Sequence, residues 1–372
     1  MNARILAFYL PQFHPIPEND RWWGKGFTEW TNATKARPLF RGHYQPRLPA
    51  DLGYYDLRLA ESRAAQAALA RQYGVEGFCY YYYWFAGRRL LERPFDEVLQ
   101  SGQPDLPFCL CWANATWTGV WHGEPDRILV EQTYPGENDH KAHFAELLKA
   151  FRDPRYATVE GRPIYVIHRP LDIPDLGRLI ADFRSMANRA GLSGLHIVGV
   201  TPHRIWNPAQ FGLDALVLQR MPALDGHIPW RFPLTKLRAK LGRKRLTIVR
   251  YKDWLDHLVP SEVRKLEYYP CLLPNWDNTP RSGMDGLVLE GSSPELFRHH
   301  VRHALAQIQH KPSEHRLLFL KSWNEWAEGN YVEPDQRFGH AYLHVLREEL
   351  STAEGTAETQ AHGGCEPHEL IA

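Results

Sequence analysis

The 372-residue chain is expected to fold as an α/β protein of the (β/α)8 barrel type, with long βα loops over the catalytic face. Two observations predict this. Short apolar, β-branched or aromatic runs recur eight times and alternate with segments of helical period, the pattern of a parallel sheet built from βα units. Polar and aromatic residues crowd the carboxyl ends of those runs, where barrel enzymes carry their active sites. A doubly wound open sheet would also place ligands at strand carboxyl ends and is the alternative topology.

The elements follow in order. The first run, 5–10, leads into Pro11-Gln12-Phe13-His14 and then a segment to residue 56 with little helical pattern. That segment reads as a loop over the barrel mouth, since loops of such length are usually functional. Residues 57–72, rich in Ala, Leu and Arg, read as a helix. The second run, 75–82, ends on Tyr83-Trp84-Phe85, and the third, 107–112, on Trp112-Ala113-Asn114. A helix over 140–151 precedes the fourth run, 164–168, which ends on His168-Arg169. A helix over 176–190 precedes the fifth, 196–200, which ends on Thr201-Pro202-His203. The sixth run is 215–218. The seventh, 268–272, is followed by the turn-rich Pro274-Asn275-Trp276-Asp277-Asn278-Thr279-Pro280-Arg281, which has the character of a substrate rim. A helix over 294–309 precedes the eighth run, 317–320, and a last helix spans 338–350. Residues 1–350 are thus expected to form one domain, and the small, polar stretch 351–372 a disordered tail.

Charge and composition narrow the function classes. Lys plus Arg, 44, nearly cancels Asp plus Glu, 43, which argues against a generally basic nucleic-acid binder. The 13 Trp, 17 Tyr and 16 Phe often stand among Asn, Asp, Glu and His rather than in periodic stripes. Flat apolar faces with a polar handle suit the CH faces and hydroxyl edges of sugars, so a carbohydrate cleft is expected beyond ordinary aromatic burial. The five cysteines read as buried thiols. Cys109 and Cys111 would point to opposite faces of one strand and cannot pair, which fits a reducing compartment. No run of about 18 apolar residues appears, so no membrane span is expected. Residues 1–10 show no charged leader, apolar core and cleavage site, and a cytoplasmic location follows as the expectation. The basic segment 236–245 reads first as a solvated helix and turn. Its second reading is docking to an anionic membrane surface, which would place the protein peripherally on the inner membrane.

The candidate site centres on Lys321-Ser322-Trp323-Asn324-Glu325-Trp326-Ala327-Glu328-Gly329-Asn330-Tyr331-Val332-Glu333-Pro334-Asp335, directly after the eighth run. Glu325 and Glu328 are the expected catalytic pair, because glycosidic chemistry needs one group to take a proton and one to give it. The plain alternative is that one carboxylate braces the loop and the other pairs with an arginine. Glu333 and Asp335 suit the start of the final helix. Expected substrate contacts are Tyr9, Glu29, Trp30, Asn32, Trp84, Trp112, Asn114, His168, Arg281, Asn324 and Trp326. For Glu29, Asn32, Asn114 and Arg281 a loop-bracing hydrogen bond is an equal reading. His14, His168 and His203 stand apart in sequence without ligand spacing, so no metal is expected. Neither a P-loop, a G-x-G-x-x-G turn nor a G-x-S-x-G elbow is present, so no nucleotide cofactor site declares itself.

Three motifs carry a resemblance. Ala7-Phe8-Tyr9-Leu10-Pro11-Gln12-Phe13-His14, Gly26-Phe27-Thr28-Glu29-Trp30-Thr31-Asn32 and the Trp323 to Asp335 stretch resemble the WbsX-type proteins of bacterial surface-polysaccharide clusters, over roughly residues 4–350. That group is similar in turn to glycoside hydrolase family 99, the endo-α-mannosidases and mannanases. The resemblance implies a (β/α)8 barrel. It also implies that Glu325 deprotonates a sugar 2-hydroxyl to form an anhydro-sugar intermediate, and that Glu328 is the general acid/base. Ala327 stands where the mannosidases tend to carry a polar residue, so subsite contacts differ. The implied activity is glycosyl transfer during assembly of an O-antigen or capsule-type polysaccharide, on an oligosaccharide or lipid-linked glycan. The rivals are hydrolysis or transglycosylation of a mannoside-type glycan and a non-catalytic glycan-binding barrel.

Overall fold

The computed structural model describes residues 3–119, 124–202, 205–222, 246–260, 264 and 266–361, with 124–125 and 352–361 described by backbone alone. The eight apolar runs are eight parallel strands: β1 (Arg4–Tyr9), β2 (Gly77–Phe85), β3 (Phe108–Trp112), β4 (Arg162–Ile167), β5 (His196–Thr201), β6 (Ala215–Leu218), β7 (Tyr268–Leu272) and β8 (Leu317–Leu320). Each pairs with the next, and β8 returns to β1 with Ile5 opposite Leu318 while β1 also pairs with β2. The sheet therefore closes, which excludes the open doubly wound alternative. β2 starts at Gly77 because the β3 side is too near for a side chain. A Cβ there would lie 2.2 Å from the Pro107 carbonyl oxygen, the group that accepts the Phe78 N–H.

The longer helices pack outside this barrel, and two short ones stand in the segment after β1. They are α1 (Pro17–Trp23), α2 (Glu29–Lys35), α3 (Ala60–Gln72), α4 (Arg93–Ser101), α5 (Glu137–Phe151), α6 (Leu176–Arg189), α7 (Tyr251–Leu258), α8 (Pro294–Ile308) and α9 (Ala341–Ala361). In α6 the buried Leu176, Leu179, Ile180, Phe183 and Ala187 recur at helical spacing and face the barrel, and the Asp175 side chain caps the Arg178 N–H at 3.1 Å. Ser293 caps α8 in the same way, with Pro294 at its first position.

Several elements differ from the sequence reading. The segment after β1 is not plain loop: it holds α1 and α2, and α2 is stabilised by a capping box between Thr28 and Thr31. Each helix has only seven residues, too few for a visible period. Between β5 and β6, where the sequence reading placed no helix, the described residues hold the 3-10 turn Pro208–Phe211. The last helix begins at Ala341 and continues past residue 350 to Ala361; the rest of the expected tail lies outside the described residues. So do the basic segment 236–245, His203 and Cys365. Cys79, Cys109, Cys111 and Cys271 are buried free thiols. Among the described residues no helix is long and apolar enough to cross a membrane.

Strand parity decides what can reach the barrel mouth. Phe8 stacks on Tyr81 at 5.6 Å across the barrel interior and also meets Phe319. Tyr9, one residue on, faces outward and gives its hydroxyl to Gln66 of α3 at 2.6 Å. On β2, Tyr81 and Tyr83 share the inward face. Tyr82 and Trp84 point out and stack on His143 of α5 at 5.6 and 4.8 Å.

Candidate active site

The chain leaves β8 through Lys321 and Ser322 and at once forms a small two-stranded turn, Asn324–Glu325 against Asn330–Tyr331, closed by the 3-10 turn Trp326–Glu328. Its geometry is fixed by buried hydrogen bonds. Asn324 braces β1, accepting from the Leu10 N–H at 2.8 Å and donating to the Leu10 carbonyl at 3.1 Å. Ser322 donates to the Asn330 carbonyl and accepts the Glu325 N–H at 3.0 Å. Gly329 closes the turn with φ +54°, and a Cβ there would meet Asp277 Cβ at 2.8 Å and the Arg47 guanidinium at 3.0 Å.

Five charged side chains meet here. Lys321 Nζ donates to Glu325 Oε2 at 2.7 Å and to the Tyr81 hydroxyl at 3.1 Å, and stands 4.0 Å from Glu328 Oε2. The two carboxylate oxygens can thus be no farther apart than the sum of those two charge contacts. Arg281, from the loop after β7, donates to Glu328 Oε1 at 2.6 Å and to both oxygens of Glu29 at 2.8 Å. Glu29 opens α2 and also accepts the Ala327 N–H at 2.8 Å, so the first loop, the β7 loop and the catalytic turn are clamped together. The Glu29 side chain is 0% exposed, Glu325 7% and Glu328 19%, which makes Glu328 the most accessible of the three carboxylates.

Burial shifts these groups in opposing ways. It raises Glu325, the Lys321 ammonium pulls it back, and neighbouring Glu328 raises it again, with a net upward result. Burial would lower Lys321, yet Glu325 and Glu328 outweigh it and hold the ammonium charged. The same contest leaves Arg281 firmly cationic through Glu29 and Glu328. His168 meets the Tyr81 ring edge-on at 6.0 Å, and burial together with Lys321 pushes it down to about 3, so it faces the site as a neutral imidazole.

Beneath the turn lies another buried carboxyl. Glu333 accepts from Tyr55 at 2.9 Å, Gln66 at 2.7 Å and the Trp326 indole at 2.7 Å. Burial raises it to about 7 despite these bonds. The sequence reading gave Glu333 and Asp335 to the start of the final helix. That helix starts six residues later than Asp335, and both side chains are buried supports of the site turn. Asp335 accepts from Tyr331 at 2.7 Å and caps the Phe338 N–H.

Of the residues expected to touch substrate, Glu29, Arg281, His168, Glu325 and Glu328 come together at the mouth. Trp84 and Trp112 do not: both lie on the outward parity, Trp112 giving its indole N–H to the Trp84 carbonyl and Trp84 to Asp139. Tyr9 is outward too. Asn114 bridges strand ends, donating to the Arg169 carbonyl and accepting the Arg169 N–H at 2.8 Å each, and Asn324 braces β1 as described. Trp326 is buried and stacked on Tyr331 at 3.8 Å, Trp30 is packed beside it at 5.4 Å, and Asn32 is buried on α2. The sequence reading missed Lys321 and Tyr81 as partners of Glu325. A lysine closing an apolar strand run was the available signal. It also missed Asp277, which accepts from His43 and Gln45 at 2.7 Å each and gives its N–H to the Glu328 carbonyl at 2.7 Å. The half-buried aromatic wall beside the site is Trp117, edge-on to Tyr83 at 5.0 Å and to Trp22 at 6.0 Å.

The sequence model of the family described as Glycosyltransferase WbsX matches residues 5–346. The chain belongs to that family. Two relatives named "Uncharacterized protein WxcX", from Xanthomonas campestris pv. campestris strains B100 and ATCC 33913, are each 39% identical over 368 residues, covering 95% of this chain and 50% of the relative. This member of the WbsX family thus spans about half the length of those relatives. Among solved structures its fold is similar to a "Glycoside hydrolase-like protein", with TM-score 0.57, 17% identity and 93% of each chain covered. It is also similar to the GH99 endo-alpha-mannosidase from Bacteroides thetaiotaomicron, with TM-score 0.57, 13% identity, and 96% of this chain and 99% of that one covered. Likeness at these identities speaks to the barrel alone.

Proposed function

We propose that this chain is a carbohydrate-active enzyme that carries out glycosyl transfer on a bacterial surface polysaccharide during its biosynthesis, with Glu325 and Glu328 as the reacting pair. The observation that carries the reading is one ammonium, Lys321, in reach of both carboxylates at a closed barrel's mouth.

The steps follow from the positions. Glu325, buried and held in place by the Lys321 ammonium, is the base and takes the 2-hydroxyl proton of the donor sugar. The freed O2 attacks C1 as the C1–O bond to the leaving group breaks, and the leaving oxygen takes the proton of Glu328. Glu328 begins this step protonated, while Arg281 keeps its two bonds to Glu29. In the second half the acceptor hydroxyl gives its proton to Glu328 and attacks C1. The C1–O2 bond opens, and O2 recovers its proton from Glu325. Two inversions give net retention. Tyr83, Trp117 and Trp22 supply a stacking wall for further sugars.

A second reading has water as the acceptor, giving an endo-acting hydrolase or transglycosylase of mannoside-type glycans. The partial exposure of Glu328 supports it, because the residue that activates the acceptor is the one solvent can reach. Mass spectrometry of lipid-linked glycan extracts incubated with the protein, with and without sugar nucleotides, separates the readings. Nucleotide-dependent gain of sugars supports transfer, nucleotide-independent loss or exchange supports hydrolysis or transglycosylation, and no change with any glycan rejects both.

A further inference from the structure

Lys321 is a costly residue to place where it is. Its side chain is 5% exposed and sits at the end of a fully buried strand, with the ammonium over the rings of Tyr81 and Trp276 at 5.7 and 5.6 Å. A buried lysine without compensation loses its proton or destabilises the fold. This one is compensated by Glu325 at 2.7 Å and the Tyr81 hydroxyl at 3.1 Å, with Glu328 at 4.0 Å. Glu325 in turn takes its strongest contact from Lys321. Its other partners are the Ser322 hydroxyl, which accepts the Glu325 backbone N–H, and the Asn330 amide at 3.5 Å.

We propose that Lys321 is a positioning residue for the reaction, an internal counter-ion that keeps Glu325 ionised and aimed while Glu328 passes between its charged and neutral forms. This rests on the assignment of Glu325 as the base. The roles of the two cations divide by geometry. Arg281 donates to Glu29 and Glu328 and acts on Glu325 through its charge. Lys321 donates directly to Glu325 from a charged group, at 2.7 Å. When Glu328 gives up its proton, the charge that appears lies 4.0 Å from the same ammonium, so Lys321 also limits the repulsion that would drive the proton onto Glu325. The other titratable or charged groups facing this pair are Tyr81 and Tyr83 from β2, Cys271 from β7, His168 after β4, and Arg281 with Glu29 behind it. Tyr81, Tyr83 and Cys271 are pushed up by burial and His168 is pushed down, so all four are neutral near pH 7. Lys321 is therefore a cation in hydrogen-bond contact with the base.

The test is Lys321→Met, which keeps an unbranched apolar chain and removes the charge. The Glu325 carboxyl is followed by 13C NMR of glutamate-labelled protein, identified by its loss in Glu325→Gln, beside the pH profile of kcat/KM. Without the ammonium, Glu325 should titrate at least about one pH unit higher, and the acidic limb of kcat/KM should move up with it. A lower plateau with both midpoints unmoved would make Lys321 merely structural and overturn the proposal. The NMR midpoint needs no turnover, so failure of the glycosyl-transfer reading leaves this test intact. If Lys321→Met does not fold, Glu325→Gln is read instead through the 13C signal of the lysine ε-carbon. Loss of the partner charge should lower the Lys321 midpoint by about one unit or more, and an unchanged midpoint rejects the coupling.

Discussion

Replacing Glu333 by glutamine isolates one buried proton under the site. Burial holds the Glu333 carboxyl up to about 7, whereas a glutamate in the unfolded chain titrates near ~4.3. Because the folded value is the higher one, the folded state keeps a proton that the unfolded chain releases. The stabilisation is complete below about pH 4, is lost as pH rises, and is gone above about pH 7. At ~1.4 kcal/mol per pH unit the gap amounts to about 4 kcal/mol, with no discount for exposure because the side chain is buried. The introduced amide stays neutral at every pH. Its oxygen can accept from Tyr55 and Trp326, and a flipped Gln66 amide can receive its N–H, so the packing is preserved. Urea unfolding of wild type and Glu333→Gln at pH 5 and pH 8 measures the effect, and groups common to both cancel in the difference. Relative to wild type, the variant should gain about 2.5 kcal/mol on going from pH 5 to pH 8, the rest of the gap being lost already below pH 5. A pH-independent difference, or one of opposite sign, would refute the reasoning.

Other substitutions probe the clamp and the parity argument. Arg281→Met leaves Glu29 buried without its cation and frees Glu328, and should cost about 3–5 kcal/mol with loss of turnover, read by thermal melts and initial rates. Gly329→Ala forces a side chain into φ +54° against Asp277 and Arg47, and should cost about 1–3 kcal/mol while displacing the adjacent Glu328, so that kcat falls more than KM rises. Trp84→Phe and Trp112→Phe remove indole hydrogen bonds in the outer layer. Each should lower stability by about 1–2 kcal/mol and leave KM for glycan unchanged, since neither ring lines the mouth.

The barrel was legible because its information is local. Each strand is a short apolar run, and the helices 176–190 and 294–309 repeat at helical spacing, so their existence and order could be read with boundaries within a few residues. Short elements were not. α1, α2, α4 and α7 have seven to nine residues, too few to show a period. At the site, the cluster after β8 was visible because polar and charged residues crowd the stretch that follows an apolar run. Which of its side chains face substrate was not visible, because that depends on strand parity and on partners far along the chain. Tyr9, Trp84 and Trp112 sit at strand ends, as sugar contacts would, but one residue out of phase with the interior. Glu333 looks like a helix-start acid until Tyr55 and Gln66, more than 260 residues earlier, are placed against it. Lys321 gains its meaning only from Tyr81 and from a turn that folds Glu325 back over it.

The most direct test of the central claim is the turnover of Glu325→Gln and Glu328→Gln on a glycan that wild type converts, measured beside binding of the same glycan. The account predicts that each variant loses about 10²–10⁴-fold in kcat while it stays folded and keeps a glycan affinity close to wild type, with Glu325→Gln melting lower because the buried Lys321 loses its counter-charge. Turnover at the wild-type rate in either variant would remove that carboxylate from the chemistry and contradict the assignment of the pair.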